Sequence, residues 1–166
     1  MVIHELRLWV ANQTWLSHSV EETVALGKHL AADLQPPLII LLAGELGAGK
    51  TTLAKGIISG LGAAREQDVT SPTFTLVHFY RNRSPIFHVD LFRVEGGHDL
   101  ASLGLEDMFM QPAIVLIEWP EKLSFQTNWP LLRVYIDHVN ADSRQIYSVG
   151  PEAAITSSSF ARGSNK

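Results

Sequence analysis

Apolar and polar positions along this chain fall into short blocks with different periods. Leu38-Ile39-Ile40-Leu41-Leu42-Ala43 and Ala113-Ile114-Val115-Leu116-Ile117 are uninterrupted apolar runs. They predict strands buried on both faces. Val2–Val10, Thr73–Tyr80, Ser84–Asp90, Leu131–Val139 and Arg144–Val149 alternate instead, which predicts strands with one wet face. Arg81-Asn82-Arg83 and Asn140-Ala141-Asp142 are short, polar connections, so each flanking pair reads as a β-hairpin. Val20, Val24, Gly27, Ala31 and Leu34 recur at helical spacing behind the capping box Ser19-Val20-Glu21-Glu22. That helix runs to about Asp33, and Pro36-Pro37 ends it. A second helix spans Thr52–Leu61, with Gly62 as a left-handed stop. A third, short helical stretch is expected over Asp99–Phe109, after Gly96-Gly97. The fold class is α/β: a single domain over residues 1–150, with a mixed β-sheet flanked by helices. The tail, 151–166, is rich in Ser, Ala and Gly and is expected to fray.

Between the first apolar run and the second helix, residues Gly44 to Thr51 read G-E-L-G-A-G-K-T, a full match to the P-loop pattern. Strand, glycine loop and helix form the context that gives this pattern a mechanism. Gly44, Gly47 and Gly49 let the backbone turn its N–H groups around an anion. The helix N-terminus adds partial positive charge. Lys50 supplies a full charge for the β- and γ-phosphates, and Thr51 offers a hydroxyl to Mg²⁺.

Thr51 alone cannot hold Mg²⁺, which takes carboxylate and water oxygens. Two acids close predicted strands at the end where an open α/β sheet binds ligands: Glu118 after Ile114–Ile117, and Asp90 after Ile86-Phe87-His88-Val89. The second strand is less pure, because His88 interrupts it. Lys50, Asp90 and Glu118 are the candidate catalytic residues, and Thr51 and Glu118 the candidate metal ligands, with Asp90 a further one. The division between metal ligand and water-orienting base stays open. Ser71-Pro72-Thr73 could sense a γ-phosphate through its hydroxyls. On chemistry alone, the favoured reading is a proline turn with hydroxyl capping. Arg93 could approach phosphates, but an ion pair with Glu95 or Asp99 is the expectation. Trp119 could cover the site, but a core aromatic is the expectation. The histidines lack ligand spacing, so no zinc site is inferred.

Composition narrows the class. There is no cysteine, which excludes disulfides, thiolate metal sites and cysteine nucleophiles. No signal-peptide pattern opens the chain and no stretch is long enough to span a membrane, so a soluble cytoplasmic protein is expected. The net charge is −4, from 13 basic and 17 acidic side chains. Phosphate-backbone affinity comes from clustered Lys and Arg, so a partner would have to hold any nucleic acid.

G-E-L-G-A-G-K-T-T at 44–52, S-P-T-F-T-L at 71–76, D-L-F-R at 90–93 and E-W-P at 118–120 occur in that order. This ordered set resembles the TsaE (YjeE) family of small bacterial P-loop ATPases, from about Ser19 to Ser148. The resemblance implies a single P-loop NTPase domain with a mixed sheet. It implies a role in forming N6-threonylcarbamoyladenosine at position 37 of tRNAs that read codons starting with A. The implied partners are the TsaD and TsaB subunits, with tRNA met through their complex. ATP, or ADP, would sit on residues 44–52, including Glu45, Leu46, Gly47, Ala48, Gly49, Lys50, Thr51 and Thr52. Mg²⁺ would sit on Thr51 and Glu118. Asp90 would be essential for hydrolysis, and Ser71 and Thr73 would lie in a switch-like segment. Two departures stand out: Phe92 replaces the usual Tyr, and Glu45 replaces the commoner Asp. The competing class is a small P-loop kinase passing the γ-phosphoryl group to a metabolite, though no arginine-rich lid segment is visible. A GTPase is disfavoured because no N-K-x-D guanine-reading motif occurs.

Overall fold

The computed structural model describes residues 12–123 and 126–152. The strand expected at Val2–Val10 and residues 153–166 of the expected tail lie outside the described residues. The strands are β1 (Thr14–Ser17), β2 (Leu38–Ala43), β3 (Val77–Tyr80), β4 (Ile86–Asp90), β5 (Ile114–Glu118), β6 (Leu131–His138) and β7 (Arg144–Glu152). The helices are α1 (Val20–Ala31), α2 (Lys50–Gly60), α3 (Gly97–Ser102) and α4 (Leu105–Met108).

The strands form one seven-stranded sheet in the order β1-β7-β6-β2-β5-β4-β3. The inner stretch β6-β2-β5-β4 is parallel, and the pairings at both ends are antiparallel. The two uninterrupted apolar runs, β2 and β5, lie side by side at the centre. Burial on both faces is what removed polar alternation from their sequences. Side chains on a strand alternate between faces, so β2 feeds two cores. Leu38, Ile40 and Leu42 pack with Leu30, Leu53 and Ile57 of α1 and α2. Ile39 and Leu41 pack with Leu105 and Met108 of α4 on the other face.

Both long helices end as their sequences imply. Ser19 caps α1, its Oγ accepting from the Glu22 amide at 3.1 Å. The Glu22 carboxylate reaches one residue past the cap and accepts from the His18 amide at 2.7 Å. At the end of α2, Ala63 N–H donates to Ile58 and Gly62 N–H to Ser59, with Gly62 at φ 73°. That is a Schellman closure.

α1 and α2 pack backbone to backbone. A Cβ added at Gly56 would lie 2.3 Å from the Val24 carbonyl oxygen, and one at Gly27 would lie 2.6 Å from that of Leu53. No side chain fits at either contact.

Four sequence expectations need correction. The hairpin expected over Thr73–Tyr80 pairs only from Val77. Residues 73–76 turn instead, with Leu76 at φ 67° and its N–H donating to Pro72 at 2.6 Å. The helix expected over Asp99–Phe109 is broken into α3 and α4, because Gly104 adopts φ 63° between them. Val20 begins α1 at its exposed end and is no part of the buried stripe. β7 runs on to Glu152, two residues into the expected tail, because its pairing with β6 continues to Leu131.

Gly56→Ala tests the helix contact. Better helix propensity favours alanine by ~1 kcal/mol, but forcing a methyl into backbone typically costs ~1–3 kcal/mol. A lowered melting temperature is expected, by roughly 2–4 °C per kcal/mol lost. Unchanged or raised thermal stability would show that α1 and α2 separate without cost.

Candidate nucleotide site

β2 ends at Ala43, and the chain enters the glycine loop before α2 begins at Lys50. Gly47 and Gly49 take φ 75° and 111°, a region costly to a residue with a Cβ. Ala48 between them is fully buried and anchors the loop, while Glu45, Leu46 and Gly47 are exposed at its outer turn. Thr52, also in the first turn of α2, is half-buried. The α2 N-terminus opens on this loop, so its unpaired N–H groups and dipole face the same place.

Lys50 is the buried cation of the loop, 5% exposed. Its Nζ donates to the carbonyls of Gly44 at 2.6 Å and Glu45 at 2.7 Å. It also lies 3.9 Å from the centre of the Trp119 ring. Burial lowers the Lys50 pKa from the ordinary lysine value, against the opposing pull of Glu118, Glu121 and Asp90.

The register of the parallel strands brings the two acids together. Glu118 on β5 stands opposite Asp90 on β4 and Leu42 on β2. Both carboxylates are 2% exposed, so neither is a solvated strand end. Thr51 Oγ1 donates to Glu118, 2.9 Å from Oε1 and 3.0 Å from Oε2. Asp90 Oδ2 accepts from Ser71 Oγ at 3.0 Å and Thr73 Oγ1 at 2.7 Å, and its Oδ1 accepts from the Phe92 amide at 2.8 Å. The two hydroxyls are themselves 2.6 Å apart. Ser71 and Thr73 therefore cap a strand-end acid across the site, rather than a local turn.

Two side chains sit differently from the sequence expectation. Arg93 is exposed and lies 4.7 Å over the Phe74 ring instead of pairing with Glu95 or Asp99. The Asp99 carboxylate accepts from the Glu95 amide at 3.0 Å. Trp119, at φ 60°, packs partly into the second core but also forms the face under Lys50 and meets the Phe92 ring at 5.0 Å. It is both core aromatic and site wall.

The structure adds two residues that sequence reasoning passes over. His88 is fully buried, with Nε2 2.7 Å from Glu118 Oε1. Arg144 donates from Nε to the Ala48 carbonyl at 2.9 Å, and from Nη1 to the carbonyls of Asn140, Ala141 and Ser143. It staples the glycine loop to the β6–β7 turn. His88 carries a signal: a histidine on an apolar strand, two positions before the acid and on the same face. Arg144 carries none, since its partner is 96 positions away.

A sequence model described as "Threonylcarbamoyl adenosine biosynthesis protein TsaE" matches residues 17–146. The chain belongs to the TsaE family. It is 37% identical over 133 residues to the tRNA threonylcarbamoyladenosine biosynthesis protein TsaE of Bacillus subtilis, covering 80% of this chain and 82% of that one. The Nostoc protein of the same name is 38% identical over 130 residues, covering 75% of this chain and 78% of the relative. The crystal structure of Bacillus subtilis YdiB superposes with a TM-score of 0.63 at 31% identity, covering 84% of this chain and 86% of that one. The fold is that of a P-loop NTPase with a mixed sheet, as the motif and the strand pattern imply. Among the described residues, no helix is long and apolar enough to cross a membrane.

The donor set suits a magnesium nucleotide. Among the described residues no group of three or more His, Asp or Glu side chains closes into a metal cage. Mg²⁺ does not need one, since it is held by one or two protein oxygens together with phosphates and water. Thr51 and Glu118 already sit together at the head of the phosphate loop, all oxygen and no sulfur.

Lys50→Ala removes the loop's full charge. A charge-assisted contact is worth roughly 1.5–3 kcal/mol, so ATP affinity is expected to fall about ten- to a hundredfold. The loss for AMP should be smaller, as the lysine of a P-loop serves the β- and γ-phosphates. Calorimetry that returns the parent's ATP affinity would remove Lys50 from the site.

Proposed function

We propose that this chain is a Mg²⁺-dependent ATPase subunit acting with TsaB and TsaD in forming the threonylcarbamoyl group on tRNA adenosine. The observation that carries the reading is the coupling of four motifs at the ends of two neighbouring strands. The P-loop Thr51 is bonded to Glu118, and the neighbouring Asp90 is bonded to both hydroxyls of the 71–73 segment.

In this reading the backbone amides of residues 45–52 and the Lys50 ammonium bind the phosphates of ATP. Thr51 and Glu118 hold the metal. The bound ion would neutralise charge on the β- and γ-oxygens. Asp90 orients water and ties the nucleotide end of the site to Ser71 and Thr73. Lys50 and Trp119 wall the other side and limit solvent access. Arg93 is engaged with Phe74, so a cationic group that stabilises the transferring phosphoryl group is assigned to a partner. The net charge of −4 assigns tRNA to a partner as well. The domain extends over 1–150 in this reading, and the 151–166 tail has no assigned part.

Two predictions test the assignment. Asp90→Asn is expected to leave ATP binding nearly intact and to slow turnover by ~10²–10⁴-fold, the usual worth of a general base or water-orienting group. Glu118→Gln is expected instead to weaken the Mg²⁺ dependence of ATP binding. Calorimetry and phosphate release on both variants distinguish the roles, and a reversed pattern would exchange them.

Turnover of the isolated chain should be slow and should rise with purified TsaB–TsaD complex. A cationic group supplied in trans raises P-loop hydrolysis by as much as ~10³–10⁵-fold. The measurement is ATP turnover with and without the complex, with tRNA modification followed in the same mixture. A fast isolated enzyme indifferent to the complex, or one that phosphorylates a metabolite, would return the chain to the kinase class.

A further inference from the structure

His88 is a buried polar side chain at this site that the proposed reading leaves without work. It lies on β4 with no solvent exposure, and its Nε2 is 2.7 Å from Glu118 Oε1. A carboxylate only accepts, so the ring donates from Nε2–H. Its Nδ1 is buried and has no hydrogen-bond partner among the described residues. An orphaned buried nitrogen is a cost that an apolar side chain would avoid. Ile86 before it and Leu116 opposite it on β5 are both apolar and buried. On β3 it faces His78, whose ring meets it edge-on at 6.5 Å between centroids, a contact that any ring could make. Packing therefore does not account for a histidine here, whereas the bond to Glu118 does.

The geometry around Glu118 shows what that bond controls. Glu118 Oε1 accepts from both Thr51 and His88, and Oε2 from Thr51. The Thr51 hydroxyl is itself a candidate metal ligand, so its bond to Glu118 is one that a magnesium nucleotide would compete for. His88 has no such second duty. Ile86 and His88 share a strand face with Asp90, and the β4–β5 register holds His88 one step diagonal to Glu118. It approaches the carboxylate from β4, while Thr51 approaches from the glycine loop and α2.

We propose that His88 is a positioning residue for the metal site: its Nε2–H fixes the Glu118 carboxylate so that Thr51 and Glu118 meet Mg²⁺ in one preset arrangement. The proposal rests on the assignment of Glu118 as a metal ligand. Partners that orient a ligating side chain typically change metal affinity about 10–100-fold when removed.

The test uses a pair of substitutions of nearly equal length, H88Q and H88M. The glutamine keeps an N–H donor near the position of Nε2, and the methionine does not. ATP binding is measured by calorimetry over a series of free Mg²⁺ concentrations and in EDTA, with thermal unfolding recorded for each protein. The Mg²⁺ concentration giving half of the affinity gain should rise about tenfold or more in H88M and return toward the parent value in H88Q. ATP affinity in EDTA should be the same in all three. A parent-like Mg²⁺ dependence in H88M overturns the proposal, and so does an equal shift in both variants, since then only packing has changed. If H88M does not fold, H88N takes its place under the same criterion, its amide being too short to reach Oε1. The parent and E118Q serve as the reference. If the parent shows no Mg²⁺ dependence, or E118Q keeps it, Glu118 is no ligand and the underlying reading fails. If E118Q loses it and H88M does not, the role of His88 alone fails.

Discussion

Two carboxylates buried side by side at the ends of parallel strands are the constraint from which the rest of this site follows. Like charges in a dry place repel, and each must be hydrogen-bonded to remain there. Glu118 is satisfied by Thr51 and His88, and Asp90 by Ser71, Thr73 and the Phe92 amide. These donors come from α2, β4, the 71–73 segment and the loop after β4. Satisfying two buried acids thus determines where three separate pieces of chain must stand: α2, the 71–73 segment, and β4 with the loop after it. The strand register makes the requirement strict. Asp90 lies directly opposite Glu118, and a slip by one residue would turn either acid to the other face of the sheet.

The glycine loop is held from two sides. Behind it, α2 is seated on α1 through a contact that admits no Cβ at Gly27 or Gly56, so the axis and the first turn of α2 cannot drift. In front, Arg144 ties the Ala48 carbonyl to the β6–β7 turn. A phosphate cradle made of backbone amides has no side chain of its own to correct a misplaced loop. Its precision has to come from such neighbours. The apolar core contributes directly as well, since Ala48 is buried in the same cluster as Leu53 and Leu42.

How much of this is legible in the sequence depends on the range of each interaction. The P-loop, its strand and its helix are contiguous, and their pattern carries both fold and chemistry. Glu118 is legible because an acid after five apolar residues breaks a local pattern. Ser71 and Thr73 are not legible as partners of Asp90 from turn chemistry alone, because their preferred local bonds compete with a distant one that only the β3–β4 pairing supplies. The same segment reads as strand, since Thr73–Leu76 alternates as Val77–Tyr80 does, but the phase slips between Leu76 and Val77, where the backbone turns. Gly104 shows the converse: one residue at φ 63° splits a stretch that helical spacing alone would leave whole. Trp119 is ambiguous for a physical reason, being half core and half wall. Arg93 escapes a sequence reading because an exposed guanidinium has several nearby partners of similar worth, and here an aromatic ring takes it.

Two non-glycine residues at this site hold left-handed backbone, Leu76 at φ 67° and Trp119 at φ 60°. Each such conformation costs on the order of 1–3 kcal/mol and persists only where its surroundings over-determine it. At Leu76 the N–H donates to Pro72 and the carbonyl accepts from the Asp90 amide. At Trp119 the chain turns immediately after Glu118, which sets the indole under Lys50. The strain therefore brackets the two acids, one left-handed residue beside each. Residues 71–76 are secured to the sheet end chiefly through Asp90, by two hydroxyl–carboxylate bonds and one backbone bond. A segment held in that way can be released without unpairing any strand. Whatever changes the bonding of Asp90 changes the grip on 71–76, whose exposed Phe74 is met only by the Arg93 guanidinium among the ring contacts of the described residues.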